Sequence, residues 1–187
     1  MLDSRIARNF PNEVALVGRM LAGYADLEID LMRCAQVVCV DFDTVLKAMF
    51  RSRGETNRIN VADAFGRQRY LALGIGEEFE KAIGVVRYCL KIRNQYAHCK
   101  WWDDGTEQLA FANLEEIAQE NSLVMDYEHL TTHHVNVSLL EAQLAYFMYA
   151  ENLFIWLIQE GNARADRPAL PNRIFPIELE RPALFIL

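Results

Sequence analysis

The chain has 187 residues, of which 52% are hydrophobic and 24% charged, and its formal net charge is −7. That length suits one domain with a hydrophobic core. The negative net charge predicts no general affinity for nucleic acid. The first residues, MLDSRIARNFPNE, lack the apolar core of a signal peptide, and the cysteines form no CxxC pair. The most apolar run, 153–158, is far shorter than the roughly 20 residues of a membrane span. We therefore expect a soluble, cytoplasmic protein that does not bind membranes.

Helical spacing of apolar residues predicts a mostly helical first half. The first predicted helix runs from Glu13 to about Val38, with Pro11 and Asn12 as start signals. A second helix is predicted after residue 43 and ends near the polar stretch SRGET, and a weaker third covers 59–73. The sequence GIGEE at 74–78 then opens the longest helix, predicted from residue 77 to about 100. Its acidic start and basic end suit the helix dipole.

The second half predicts a small β-structure, one more helix and an extended tail. Two short strands are predicted within WDDGTEQLAFANLEE and NSLVMDYEHLTT, with Asp104-Gly105 as a turn. Ser138 and Glu141 match a capping box that would open a last helix ending near Gly161. The proline-rich tail, 164–187, is predicted to be extended and packed on the body or on a partner, because it is also apolar. The prediction is one domain, 1–187: an antiparallel helical bundle with a small β-hairpin before the last long helix.

The predicted helix 77–100 places a cation among apolar side chains. At about 100° per residue, Arg93 falls within the apolar arc, and His98 falls at the edge of the polar sector. Glu28 lies in the apolar arc of the first helix, so a Glu28–Arg93 ion pair is predicted, because an inward charge without a partner is costly. On spacing alone, two interpretations stay open. One is a structural ion pair with a histidine favoured by the helix dipole, and the other is a functional site.

The order of residues in this helix favours the site. The run Arg93-Asn94-Gln95-Tyr96-Ala97-His98 resembles the signature of the HEPN superfamily (higher eukaryotes and prokaryotes nucleotide-binding). That signature is an arginine, four to six intervening positions of which the first is polar, and a histidine, late in a long helix. The resemblance also covers the first long helix, with Tyr-x-x-Leu-Glu from Tyr24 to Glu28, and a final antiparallel helix.

The resemblance implies both an activity and an assembly. Such proteins are helical bundles that usually dimerise, and many are metal-independent ribonucleases of toxin–antitoxin, antiphage defence or RNA-processing systems. It implies that Arg93 binds the scissile phosphate, that His98 acts as general acid or base, and that Asn94 orients the phosphate or the histidine. It further implies a homodimer, an RNA substrate, a possible operon-encoded regulator, and neither a metal nor another cofactor. The superfamily also contains non-catalytic modules that dimerise or bind a nucleotide or protein, and this alternative stays open.

One position departs from a toxin subfamily within this superfamily. Some of its members carry a tyrosine two residues after the histidine, which a partner nucleotidyltransferase modifies. The chain has Lys100 there, and Tyr96 precedes the histidine. We expect no such modification, and Lys100 could add positive charge to the site.

Residues outside the signature include candidates for RNA contacts, metal ligands and a nucleophile. The segment 47–69 concentrates basic residues and is a candidate for RNA-backbone contact, against the alternative of a solvated surface. Its arginines are Arg51, Arg53, Arg58, Arg67 and Arg69. The histidines at 129, 133 and 134 lie in a β-branched context that disfavours the helical spacing of a metal site. Cys99, next to His98, is a candidate nucleophile, but the sequence pattern places no other histidine near it.

Overall fold

The computed structural model describes residues 4–119 and 130–186, and it is mostly helical with a small antiparallel sheet. The described helices are α1 (Ser4–Asn9), α2 (Pro11–Cys39), α3 (Phe42–Phe50), α4 (Glu55–Ala72), α5 (Gly76–Ala97), α6 (Leu114–Gln119) and α7 (Val137–Arg164). The described strands are β1 (Cys99–Trp102), β2 (Leu109–Asn113) and β3 (His133–Val135). Across the described ranges, no helix combines the length and apolarity needed to cross a lipid bilayer.

α2, α3 and α4 follow the predicted pattern with shifted ends, whereas α1 was not predicted. α2 begins at Pro11, because proline lacks the N–H that would be unsatisfied at a helix start. α3 begins before residue 43, because Oδ1 of Asp41 accepts hydrogen bonds from the amides of Asp43 and Thr44. α4 begins at Glu55, four residues earlier than predicted, directly after Gly54 with its positive φ of 81°.

The end of α5 corrects the predicted helix. α5 ends at Ala97 and not near residue 100, because Cys99–Trp102 forms β1 and pairs with β2. The apolar stripe of Phe79, Ile83, Val86 and Leu90 is buried as predicted. Gln95, which a helical wheel of 77–100 assigns to the polar sector, is buried.

The predicted hairpin is present, but its strands differ from those predicted. β1 and β2 are antiparallel, with Cys99 opposite Asn113 and Trp102 opposite Ala110, and Gly105 at a φ of 83° lies in their connection. β3 adds to β2, so the sheet order is β1-β2-β3. The predicted strand in 102–116 is correct only for β2, since α6 follows at residue 114. The predicted strand in 121–132 lies outside the described residues except for 130–132, which form no strand.

α7 confirms the last long helix and corrects both predicted ends. Its first turn is capped by Asn136, whose Oδ1 accepts from the amide of Leu139 at 2.9 Å, so Ser138 is not the cap. The helix continues past Gly161 to Arg164. A Cβ at Gly161 would lie 3.0 Å from Cγ1 of Val37 and 3.2 Å from the Tyr70 ring, so this glycine permits close packing and does not end the helix.

Contacts within the chain define two compact units. The first contains 1–22, 91–145 and 181–187, and the second contains 23–90 and 146–180. The first unit holds α1, α6, the sheet, the starts of α2 and α7 and the end of α5. The second holds α3, α4 and the remaining parts of the three long helices. The single domain predicted from the sequence stays a prediction.

The tail contributes to each unit separately. In the second unit, the Phe175 ring meets the Trp156 ring edge-on at 4.9 Å, and Nζ of Lys81 lies 2.6 Å from Oε2 of Glu178. In the first unit, the carbonyl oxygen of Leu184 accepts hydrogen bonds from the side-chain amides of Gln95 and Gln143, at 2.6 and 3.0 Å. These contacts explain why Gln95 is buried: its amide is satisfied by the tail backbone.

Candidate functional site

The last turn of α5 fixes the orientation of an arginine. Arg93 is half-buried, and its Nη1 donates a hydrogen bond to Oδ1 of the adjacent Asn94 at 3.0 Å. This contact restricts the orientation of the guanidinium. The resemblance implied that Asn94 orients the phosphate or the histidine, and its described contact is with Arg93.

His98 follows the helix rather than belonging to it. Its side chain is 51% exposed, so the imidazole is accessible to a large substrate. Its backbone oxygen accepts a hydrogen bond from the amide of Leu114 at 3.0 Å, which holds the turn against the start of α6. Nε2 of His98 lies 3.6 Å from Oε1 of Glu115. Contrary to the prediction, the helix does not reach His98, because α5 ends one residue before it, but the side chain is exposed, as its predicted place at the polar edge implies.

Glu115 is a neighbour of His98 that the sequence pattern does not reveal. It lies 17 positions after His98, and only the register of the β1–β2 hairpin brings the two together. The sequence predicts the Asp104-Gly105 turn, but it continues the preceding helix to about residue 100, into β1. It therefore does not give the strand register that places Glu115 near His98.

Tyr96 is a core residue beside the site. It is 3% exposed, and its hydroxyl donates to Oε1 of Gln143 at 2.5 Å. Burial raises the pKa of Tyr96 well above its usual range. Its ring packs against those of Trp101 and Phe111. Tyr96 can therefore support the end of α5, but it is poorly placed to exchange protons with a ligand.

Lys100 presents its charge to solvent on β1. Its Cα pairs with that of Ala112, and the residue is exposed. Its ammonium forms no hydrogen bond or ion pair with any residue in the described ranges. A cation of this kind is available to a phosphate.

Glu28 has an observed partner other than the predicted one. Glu28 is 6% exposed, and Nη1 of Arg58 donates to its two carboxylate oxygens at 2.7 and 3.0 Å. Both residues belong to the second unit, whereas Arg93 belongs to the first. The Glu28–Arg93 pair stays a prediction.

The five arginines that are candidate RNA contacts divide into three bound by protein groups and two exposed ones. Arg58 is engaged by Glu28, Arg67 by Asp63 and Glu80, and Arg69 by the sulfur of Cys39 and the Phe65 carbonyl. Arg51 and Arg53 are exposed on the α3–α4 turn. Within the described ranges, their side chains form no hydrogen bond or ion pair. Arg51 and Arg53 are therefore the members of this set available for RNA.

The histidines outside the signature have other contacts. His129 lies outside the described residues, and His133 and His134 lie on β3. The His133 ring stacks on Phe185 at 4.0 Å, and Nε2 of His134 lies 2.8 Å from Oδ2 of Asp104. Among residues 4–119 and 130–186, no group of three His, Cys, Asp or Glu side chains could hold a metal ion.

The four cysteines are free thiols. Burial raises the pKa of Cys99 to about 12, which disfavours the thiolate that a nucleophile requires. The thiol also donates to the Tyr96 carbonyl. These facts argue against cysteine chemistry beside His98.

Comparisons with known proteins return no relative. No protein-family model, curated protein or solved structure matches the chain.

Proposed function

We propose that this protein is a metal-independent endoribonuclease. The observation that carries the proposal is a half-buried guanidinium, restrained by Asn94, five positions before an exposed imidazole. Arg93 binds the non-bridging oxygens of the scissile phosphate, since a guanidinium can hold two of them at once. His98 transfers protons, because imidazole is the side chain suited to that role near neutral pH.

The reaction needs three groups around one phosphate. A base removes the proton of the 2′-hydroxyl as the O2′–P bond forms, and an acid gives a proton to O5′ as the P–O5′ bond breaks. A cation stabilises the added negative charge on phosphorus. The products are a 2′,3′-cyclic phosphate and a 5′-hydroxyl, and the steps use only RNA and protein groups.

A homodimer belongs to the proposal. One histidine cannot be the base and the acid of the same step, and pairing of two signature segments would supply one His98 from each protomer. Lys100 in the first unit, and Arg51 and Arg53 in the second, are the cations proposed to contact RNA. The proposed setting is defence or stress response, with an operon-encoded regulator as a possible partner.

The test is cleavage of total RNA and tRNA by purified protein in EDTA. The wild type should cleave, and His98→Ala and Arg93→Ala should not. Arg87→Ala is the matched control, because Arg87 is an exposed arginine on α5 whose Nη2 donates to Oδ1 of Asn60. Cleavage that is lost in EDTA, or unchanged in His98→Ala, would contradict the proposal.

A second candidate is a non-catalytic HEPN-type module that dimerises or binds a nucleotide or protein. The net charge of −7 and the engagement of Arg58, Arg67 and Arg69 by protein groups favour it, because both reduce attraction to an RNA backbone. Nucleotide binding that depends on Arg93, without cleavage of any RNA by the wild type, would favour this module over the nuclease.

A further inference from the structure

A carboxylate approaches the imidazole of the proposed site from a different part of the chain. Oε1 of Glu115 lies 3.6 Å from Nε2 of His98, and the two side chains are about equally exposed, at 55% and 51%. Glu115 occupies the first turn of α6, directly after the hairpin.

Backbone geometry determines this approach. β1 and β2 pair with Cys99 opposite Asn113, and the Leu114 amide donates to the His98 carbonyl, which extends the pairing by one step. Oδ1 of Asn113 then accepts from the amides of Glu115 and Glu116, at 3.1 and 3.3 Å, and so caps α6. The strand pairing and the cap together direct the first turn of α6 toward His98.

We propose that Glu115 is the positioning residue of His98 in the nuclease reaction, an inference that rests on the proposed function. The carboxylate faces Nε2, so Nδ1 is the ring nitrogen left to exchange a proton with RNA. When the ring carries a proton, as the acid before transfer or the base after it, the negative charge of Glu115 stabilises the imidazolium. Glu115 itself neither gives nor takes a proton.

The same contact has a purely structural interpretation, with a different consequence. An ion pair between two half-exposed side chains adds little to folding stability, because water screens the charges. Bound RNA would exclude water from the site and strengthen the same attraction. A positioning role therefore appears in turnover, and a structural role appears only in unfolding.

The experiment compares Glu115→Gln with Glu116→Gln, which removes the same charge from the adjacent position of the same helix turn. We expect Glu115→Gln to lower kcat roughly ten- to a hundredfold, less than loss of a buried carboxylate partner does in a catalytic triad. KM should change less than about twofold. Glu115→Asp should restore part of kcat, and all three variants should unfold at the wild-type urea midpoint.

Each outcome decides a separate question. Active Glu115→Gln with a kcat equal to that of Glu116→Gln would overturn the role of Glu115 and leave the nuclease proposal intact. Loss of activity together with an earlier unfolding midpoint, without rescue by Glu115→Asp, would assign Glu115 a structural role instead. A wild type that cleaves no RNA would overturn both proposals.

Discussion

Nη1 of Arg58 donates to both carboxylate oxygens of Glu28, at 2.7 and 3.0 Å, and so joins α4 to the buried face of α2. Glu28 is 8% exposed at its side chain and Arg58 26%, so water screens this pair less than the exposed pairs of the chain. The Arg58 guanidinium also lies 5.1 Å from the centre of the Phe50 ring. An inward glutamate is thus compensated within its own unit.

Glu28→Ala should therefore destabilise the fold. Removing the carboxylate leaves a partly buried guanidinium uncompensated. We expect the free energy of unfolding to fall by about 3 kcal/mol, the lower end for a broken buried pair, because Arg58 keeps some exposure. Urea unfolding measures it. Lys47→Ala is the control, since the Lys47–Asp43 pair is exposed and should change stability by less than about 1 kcal/mol. Equal effects in the two variants would contradict the importance of the Glu28 pair.

The sequence predicted the long helices, because apolar residues recur at helical spacing over many turns. The prediction failed where the end of an element depends on strand register or on which residue caps a helix. The end of α5 depended on strand pairing between Cys99–Trp102 and Ala110–Asn113, which involves residues distant in the chain. The start of α7 depended on whether Asn136 or Ser138 caps it, and both types are good caps.

The candidate site was partly predictable for the same reason. Arg93 and Asn94 are adjacent on α5 and His98 directly follows the helix, so all three could be named from one segment of the sequence. Glu115 is 17 positions away from His98 and becomes a neighbour only through the hairpin. Helical periodicity identified Glu28 as inward-facing, but it could not identify Arg58 as a partner, because that depends on how α2 and α4 pack.

Stability should depend on pH through Asp104. A hydrogen bond from His134, followed by one from Thr106, lowers the pKa of Asp104 from 3.8 to about 2. Because the folded-state pKa is lowered, the ionised carboxylate stabilises the fold above about pH 4, and this contribution is lost as pH falls toward 2. Wild type should thus unfold at higher urea than Asp104→Asn near neutral pH, and the difference should shrink across this window. Glu107→Gln, in the same loop, controls for the loss of one charge. A constant difference at all pH values would contradict the account.

RNA binding should depend on Arg51 and Arg53 more than on Arg67. The double variant Arg51→Ala/Arg53→Ala removes two exposed cations, so affinity for single-stranded RNA should fall. The slope of log K against log salt should decrease by about 1.4 at most, or roughly 0.7 per phosphate contact. Arg67→Ala should change the RNA affinity and the salt slope less, because Asp63 and Glu80 already bind its guanidinium. Fluorescence anisotropy over a salt series measures both quantities. A larger effect in Arg67→Ala would contradict this assignment.

The proposed assembly has its own test. Light scattering of the wild type at micromolar concentration should give twice the chain mass of 21.5 kDa. In wild type mixed with excess His98→Ala and allowed to exchange subunits, activity per wild-type chain should fall, because the acid and base would come from two protomers. A monomer at these concentrations, or undiminished activity in the mixture, would contradict the two-histidine dimer.

The most direct test of the account is the chemistry of the cleaved ends. Wild-type protein in EDTA should convert a defined RNA into fragments with a 2′,3′-cyclic phosphate and a 5′-hydroxyl, because the 2′-hydroxyl is the nucleophile. His98→Ala should form none while keeping the wild-type urea midpoint, since the His98 side chain is half-exposed and contributes little to the core. Mass spectrometry of the fragments distinguishes the ends. Fragments with 3′-hydroxyl ends, or cyclic-phosphate ends formed equally well by His98→Ala, would contradict the account.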